Sequence, residues 1–255
     1  MLTDSEDASL DLSLVLACYN EEAIFEDSTK RILNILDHTR LFYELIFVDD
    51  CSQDGTRKLI DSFIKNHPSH KISCIFHERN VGRGRSVTDG FKKALGNVIG
   101  FIDIDLEVDA SYILTCFLEI QKGADVISAN RIYRFYWKGL IRWILSKTYS
   151  LLVHTLFQAP LKDTEAGYKF FRRAIILSLL GEIRENRWFW DTEVMVRSYF
   201  RGYRIVEVPC LFRRRFDKRS TVKPIRDSLD SLFKLFRLRR MLNNAKHEIA
   251  AGRQP

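Results

Sequence analysis

No cysteine pattern organises this chain. Its five cysteines (Cys18, Cys51, Cys74, Cys116 and Cys210) are odd in number and form no CxxC pair. That excludes a disulfide framework and a cysteine zinc site, and it points to a reducing compartment. The six histidines show no HExxH-type spacing. Long apolar runs are missing too. The longest stretch without a charge is 148–161, 14 residues interrupted by His154 and Pro160. A spanning helix needs about 20 apolar residues, so no transmembrane helix is predicted. Met1–Asp11 carries Asp4, Glu6 and Asp7 and no basic region, so it reads as a short acidic tail and not as a signal peptide. Neither low-complexity segments nor fixed-period repeats occur.

What is present is an ordinary globular composition over 255 residues, enough for one large domain with its own core. Charge is unevenly placed. Between Phe212 and Lys246, 12 Lys/Arg face 3 Asp/Glu, a local charge of +9 in a chain whose total is +7. The remainder is therefore slightly acidic. A basic C-terminal segment of this kind suits phosphates, whether of nucleic acid, anionic lipid or a phosphorylated ligand.

Hydrophobic periodicity alternates between strand and helix. Apolar runs at Leu12–Ala17, Glu44–Val48, Ile72–Phe76, Val98–Ile102 and Asp125–Ala129 predict buried strands. Between them, helical spacing recurs in Glu22–His38, from Leu59 to Ile64, in Gly82–Leu95 and in Ala110–Gln121. This order predicts an α/β fold, a mostly parallel sheet with helices on both faces. Tyr133–Phe157 mixes aromatics with Lys and Arg and reads as one or two amphipathic helices. Arg204–Pro209 reads as a late strand. Pro224 opens a basic helix to about Leu242. On its wheel Ile225, Leu229, Leu232, Phe233, Leu235 and Phe236 share one face, opposite Arg226, Asp227, Asp230, Lys234 and Arg237.

In parallel sheets, ligands sit beyond the carboxyl ends of the strands. Tyr19-Asn20-Glu21, Asp49-Asp50, Asn80 and Asp103/Asp105 each follow a predicted strand and should gather along one rim. Asp103-Ile104-Asp105 sets two carboxylates on the same side of an extended backbone, with Glu107 at the next such position. Hard cations such as Mg²⁺ or Mn²⁺ take oxygen ligands of this type and leave room for substrate phosphates. Taken alone, the tripeptide is a weak signal and reads more readily as a solvated acidic turn.

Several motifs stand in a fixed order: Leu16–Glu22 (LACYNEE), Val48–Thr56 (VDDCSQDGT), Asn80–Gly84 (NVGRG) and Asp103–Leu106 (DIDL). Ser128–Arg131, Asp163–Lys169, Glu193 and Val208-Pro209 with Arg215 and Ser220 follow. Over roughly residues 11–222 the chain resembles family 2 glycosyltransferases of GT-A fold, in the branch acting on dolichyl or polyprenyl phosphate. It departs from that pattern at Ala17 (usually Pro), Cys51 (Gly), Arg83 (Lys) and Thr221 (Lys).

The resemblance implies an inverting, metal-dependent transfer of a hexose from a GDP-mannose or UDP-glucose type donor to a polyprenyl or dolichyl phosphate. Ala17, Tyr19, Glu21, Val48 and Asp50 would hold the nucleoside. Arg83 and the Asp103–Ile104–Asp105 turn would meet the diphosphate, with Asp103, Asp105 and Glu107 as metal ligands. Arg131, Arg215 and Glu193 would join Asp103 and Asp105 in the catalytic set. An anionic phosphate acceptor requires no strong general base.

The expected organisation is a flexible tail over 1–10, a catalytic domain over 11–222 and a basic amphipathic helix with its tail over 223–255. The helix and the 133–157 region would lie on the cytosolic face of a membrane, with a small membrane-embedded subunit as a further partner and no nucleic acid. A polysaccharide or glycolipid acceptor is the alternative within the family. A non-catalytic membrane- or nucleic-acid-binding module is the alternative outside it.

Overall fold

The computed structural model describes residues 10–133, 140–215 and 224–250. Seven strands form one sheet: β1 (Leu12–Cys18), β2 (Tyr43–Asp49), β3 (Lys71–Phe76), β4 (Val98–Ile102), β5 (Val126–Tyr133), β6 (Tyr168–Arg172) and β7 (Ile205–Phe212). The helices are α1 (Phe25–Asp37), α2 (Thr56–Asn66), α3 (Arg83–Lys93), α4 (Tyr112–Gln121), α5 (Leu140–Phe157), α6 (Arg173–Leu180), α7 (Trp190–Phe200) and α8 (Pro224–Ala250). Strand order is β3-β2-β1-β4-β6-β5-β7. All pairings are parallel except those of β6, which runs antiparallel to both β4 and β5. The five alternating strands stand as predicted, and the sheet is mostly parallel. β6 is the addition, inserted between β4 and β5 although it follows both in sequence.

The central strands read as unbroken apolar runs because both their faces are covered. In β1, Leu14 and Leu16 point into a core beneath α1, α2 and α4, where they meet Phe25, Ile32, Ile60 and Ile113. Val15 points the other way, into a core shared with Val87 and Phe91 of α3, Val153 of α5, Ile176 of α6 and Val194 of α7. This is the period-2 alternation of a strand read out on two helical layers.

Leu235 and Leu238 of α8 enter the second core. The wheel face predicted for α8 is therefore split. Leu235 is fully buried, whereas Phe233 and Phe236 are 75% and 53% exposed. Lys234, assigned to the polar face, turns inward to pair with Glu185 and Asp230. The side chains of 224–229 lie outside the described residues, as do the tail over 1–9, the aromatic stretch over 134–139 and the 216–223 segment that holds Ser220, Thr221 and the predicted domain boundary. Among the described residues, no helix is long and apolar enough to cross a membrane.

Candidate active site

β1 and β2 leave the sheet side by side, with Ala17 opposite Val48 in the register. Both following loops turn through left-handed backbone, at Asn20 (φ 56°) and Cys51 (φ 65°). Asn tolerates that region better than most residues, while Cys51 holds it without the freedom of glycine. The two loops are joined by hydrogen bonds. Asn20 N–H donates to Ser52 Oγ at 2.9 Å and Gln53 N–H to Asn20 Oδ1 at 2.7 Å. Glu21 N–H donates to Thr56 Oγ1 at 2.8 Å, and Gly55 N–H donates to Glu22 Oε2 at 2.8 Å. Val48 is buried and Tyr19 stands exposed at the edge of this crevice.

Asp50 closes the crevice from behind. Its carboxylate accepts from Val81 N–H (2.8 Å) and Gly82 N–H (2.9 Å), and His77 Nδ1 lies 3.1 Å away. Asn80 Nδ2 donates to the Asp50 carbonyl at 3.3 Å. Asp50 therefore folds the Asn80-Val81-Gly82 turn and sets the start of α3. Asp49, one residue earlier, is committed to Arg57 at 2.6 Å.

The first side chain of α3 crosses to the next strand end. Arg83 bonds Asp103 Oδ1 at 2.7 Å through Nε and pairs with Asp191 through Nη1. Its guanidinium lies over the rings of Phe101 and Trp188, at 5.0 and 5.3 Å. Asp191 sits in the first turn of α7, which Trp190 fastens to α3 by donating to Thr88 Oγ1 at 2.9 Å. α7 can come this close because Gly84 has no side chain; a Cβ there would collide with Trp190. Behind Asp191, the fully buried Lys169 donates to Asp191 Oδ1 at 2.8 Å. Burial pushes the Lys169 ammonium below its usual range, and Asp191 opposes that. The result is a chain of alternating charge, Asp103–Arg83–Asp191–Lys169, running from the sheet end into the core. Removing one partner of a buried pair of this kind costs about 3–5 kcal/mol.

Asp103, Ile104 and Asp105 form a turn, closed by Leu106 N–H to Asp103 O at 3.1 Å, with Leu106 at φ 51°. The extended backbone expected here is thus corrected: the chain turns, and Glu107 does not follow Asp103 and Asp105 along one face of a strand. Its carbonyl accepts Arg213 N–H at 2.7 Å and its Oε1 accepts Arg215 N–H at 3.0 Å. Glu107 ties the end of β7 to the turn and brings Arg215 there. Burial pushes the Glu107 carboxyl up. Burial also raises Asp103, to about 6, with Arg83 pulling down and Asp105 and Asp191 pushing up. The Asp103 side chain keeps 39% exposure, so water tempers the burial contribution and the like charges carry more of the rise. Gly167 abuts this carboxylate; a Cβ there would overlap both Asp103 and Arg83. Ile104 is buried, so only its backbone faces the turn.

Arg131, at the end of β5, is held by Asp163. Nε donates to Oδ2 at 2.7 Å and Nη2 to Oδ1 at 2.9 Å, and the guanidinium lies 5.6 Å from the ring centres of both Tyr133 and Phe212. Burial would raise Asp163, but Arg131 holds it below the usual carboxylate range. Glu207 Oε1 in turn accepts the backbone N–H of both Lys162 and Asp163 at 2.8 Å. On the loop between Asp163 and β6 stands Glu165, 3.9 Å from Arg131 Nη2.

The structure therefore draws Ala17, Tyr19, Glu21, Val48 and Asp50 into one crevice, and links Arg83, Asp103, Glu107 and Arg215 around the next strand end. Glu193 lies apart. Two residues beyond Asp191, it is rotated about 200° around the helix. It is 1% exposed and accepts from Arg197 Nε (2.8 Å) and the backbone N–H of Arg184 (3.0 Å) and Glu185 (2.9 Å). Among the described residues, no three His, Cys, Asp or Glu converge closely enough to hold a metal by themselves. His77, Lys169 and Glu165 received no role from the sequence. Their types and spacing carry no signal until β3, β6 and α7 bring them to carboxylates distant in the chain.

The sequence model described as Glycosyl transferase family 2 matches residues 13–180, from β1 through α6. Glycosyltransferase AglD of Haloferax volcanii is 27% identical over 79% of this chain and 33% of its own length. The Dolichyl-phosphate beta-glucosyltransferase of Dictyostelium discoideum is 24% identical over 77% of this chain and 64% of its own. The chain thus spans between one third and about two thirds of these relatives. Among solved structures, glucosyl-3-phosphoglycerate synthase from Mycobacterium tuberculosis, in complex with Mn²⁺, UDP-glucose and phosphoglyceric acid, superposes with TM-score 0.68. It does so at 17% identity over 91% of this chain and 80% of that one. Mannosyltransferase PcManGT from Pyrobaculum calidifontis, in complex with GDP-Man and Mn²⁺, gives 0.57 at 14% identity over 99% and 80%. These structural likenesses establish a shared fold.

Proposed function

The chain belongs to glycosyl transferase family 2, and from that premise we propose that it moves a hexose, with inversion, from a nucleoside-diphosphate sugar to a polyprenyl or dolichyl phosphate. One observation carries the reading. The crevice at the ends of β1 and β2 adjoins the Asp103–Asp105 turn through Arg83, and beyond that turn Glu107 holds the backbone of Arg215 and feels the charge of Arg131. A nucleoside in the crevice, held by Asp50, Tyr19 and the backbone near Ala17 and Glu21, directs its diphosphate over Arg83 to the turn. An acceptor phosphate then approaches from the side of Arg131 and Arg215. The relative named for dolichyl phosphate supports this choice of acceptor over a polysaccharide.

Asp103 and Asp105 suit Mg²⁺ or Mn²⁺. They are hard oxygen donors, Asp105 adds to the burial that raises Asp103 a repulsion that a cation would relieve, and two carboxylates leave coordination sites for diphosphate oxygens. Such an ion, held by Asp103 and Asp105, would neutralise the charge that grows on the departing diphosphate. Arg83 adds fixed positive charge to the same oxygens, pre-oriented by Asp191 and the rings around it. Arg215, tied to the turn through Glu107, orients the incoming phosphate.

Attachment to the cytosolic face of a membrane completes the reading. Phe233 and Phe236 of α8 and Leu151 of α5 are exposed apolar side chains on two helices that pack together. The test is transfer from GDP-mannose and from UDP-glucose to a polyprenyl phosphate, with and without Mn²⁺. We expect one donor to yield glycosylated lipid in a metal-dependent manner. No transfer with either donor overturns the proposal, and transfer only to a saccharide or glycolipid moves it to the other acceptor class.

A further inference from the structure

Both neighbours of Arg83 are glycines, and both lie against the same segment of chain. A Cβ on Gly82 would collide with the Asn186 carbonyl, and one on Gly84 with the Arg187 carbonyl as well as with Trp190. Residues 184–188, between α6 and α7, therefore run directly over the start of α3. Arg85 N–H donates to the Asn186 carbonyl at 3.0 Å and fixes that contact. Two residues on, the Trp188 ring lies 5.3 Å from the Arg83 guanidinium while staying 45% exposed. Phe101, the other ring beside Arg83, belongs to β4 and is fully buried. Trp188 is not locked by the sheet in this way, and takes its place from the segment that carries it.

That segment is pinned at its other end. The buried Glu193 accepts the N–H groups of Arg184 (3.0 Å) and Glu185 (2.9 Å) through one carboxylate oxygen. The Glu185 side chain is held in turn by Lys234 of α8 at 2.9 Å, and Asp230, one turn earlier in α8, steadies Lys234 at 2.8 Å. Glu185 and Lys234 keep only 18% and 20% exposure, so salt and water screen the pair less than they would at an open surface. Within four residues the chain thus meets α8 at Glu185, α3 at Asn186 and Arg83 at Trp188. This segment, α7 and α8 all lie beyond residue 180, where the family match ends.

Building on the donor reading above, we propose that residues 184–188 form a strap by which α8 aims Arg83 at the donor diphosphate, with Trp188 and Lys234 as positioning residues. Trp188 acts on Arg83 directly. Its ring walls the guanidinium, so the charge stays between Asp103 and Asp191 and does not swing into solvent. Lys234 acts at a distance, by fixing Glu185 and with it the course of the strap. An arginine ordered before its ligand arrives loses less freedom on binding, and the complex is tighter for it.

The test is calorimetric binding of GDP and of UDP, each with Mn²⁺, to the full chain and its variants. Trp188→Ala should weaken the nucleotide that binds about tenfold, the scale of one sheltered cation–π contact, and Trp188→Phe should restore most of the loss. Lys234→Met keeps the stem but cannot pair, and should weaken binding about threefold, the scale of one partly exposed ion pair. Lys234→Arg should bind as the wild type does. Both residues act along one path, so Lys234→Met should add nothing in the Trp188→Ala background. In transfer, the loss should fall on kcat/KM for the donor, with the acceptor's KM unchanged. Unchanged nucleotide affinity in Trp188→Ala or Lys234→Met, whatever the denaturation midpoint, or additive losses in the double variant, overturns the inference and leaves the donor reading standing. Failure of the wild type to bind either nucleotide overturns the donor reading, and this inference with it.

Discussion

The two halves of the sheet end in different chemistry. At the ends of β1, β2 and β3, side chains are bound mainly to backbone: Asp50 to Val81 and Gly82, Asn20 to Gln53, Glu22 to Gly55. At the ends of β4, β5, β6 and β7, side chains are bound mainly to opposite charges: Arg83 to Asp103 and Asp191, Lys169 to Asp191, Arg131 to Asp163. The first half is a fixed frame, because backbone donors do not titrate or leave. The second half is electrostatically loaded, with Asp103 and Glu165 both pushed up toward neutrality. A frame suits a nucleoside, which differs little between substrate and product. A loaded cluster suits the place where charge moves, because added cations or departing protons change its energy most.

Removing charge from the loaded half should have the largest effect. Asp105→Ala is expected to lower transfer by about 10²–10³-fold, the scale of losing one strong stabiliser of developing charge. Nucleotide binding should lose its response to Mn²⁺ while circular dichroism stays unchanged. Activity within a few-fold of wild type, or indifference to a chelator, would remove the metal from the turn and erase the contrast.

The fixed half should respond through stability. Asp50→Asn replaces an acceptor of two backbone N–H bonds by a weaker one. Hydrogen bonds to charged groups contribute about 1.5–3 kcal/mol, so a loss of about 2 kcal/mol in unfolding free energy is expected, together with weaker nucleotide binding. Weaker binding with an unchanged denaturation midpoint would make Asp50 a ligand alone, with no part in building the turn.

Arg215→Ala should raise the KM for the lipid phosphate about tenfold, the effect of one charge-assisted hydrogen bond, and leave nucleotide affinity alone. Equal losses on both sides would place Arg215 on the donor and blur the division between the halves.

Much of this contrast was legible in the sequence, and unevenly so. β1, β2 and β4 announce themselves because strands covered on both faces need continuous apolar runs. β6 did not, since Tyr168–Arg172 carries Lys169 at its second position, and a fully buried lysine makes sense only once Asp191 arrives from α7. The fixed half was readable as motifs because its hydrogen bonds join loops whose residues lie within three short segments. The loaded half showed its motifs too, at Asp103–Leu106, Ser128–Arg131 and Asp163–Lys169, but not its pairings, since a bond such as Arg83–Asp191 closes across 108 positions. The expected Asp103–Glu107 alignment failed for a local reason: an extended strand was assumed where the chain turns.

The smallest effect, and the sharpest on α8, concerns the proposed contact of the loaded half with a membrane. The wheel could not say which part of the apolar arc packs inward. Leu235 and Leu238 are buried in the core with Val153 and Phe157 of α5, and Phe233 and Phe236 are left in solvent. Cutting the chain at Val222 would therefore open the core as well as remove the exposed face, and lost binding would be ambiguous. Phe233→Ser with Phe236→Ser leaves Leu235 and Leu238 in place. Fully burying one such ring is worth about 1.5–3 kcal/mol. Partial insertion at an interface gives less, so vesicle co-sedimentation should weaken about fivefold with an unchanged denaturation midpoint. Raising salt should weaken wild type and variant by the same factor, since Arg237 and Arg240 remain to supply the Coulombic part. Unchanged sedimentation of the double variant would take the membrane contact away from α8. A loss seen only at high salt would show that charge, and not the two rings, holds the helix to lipid in the resting protein.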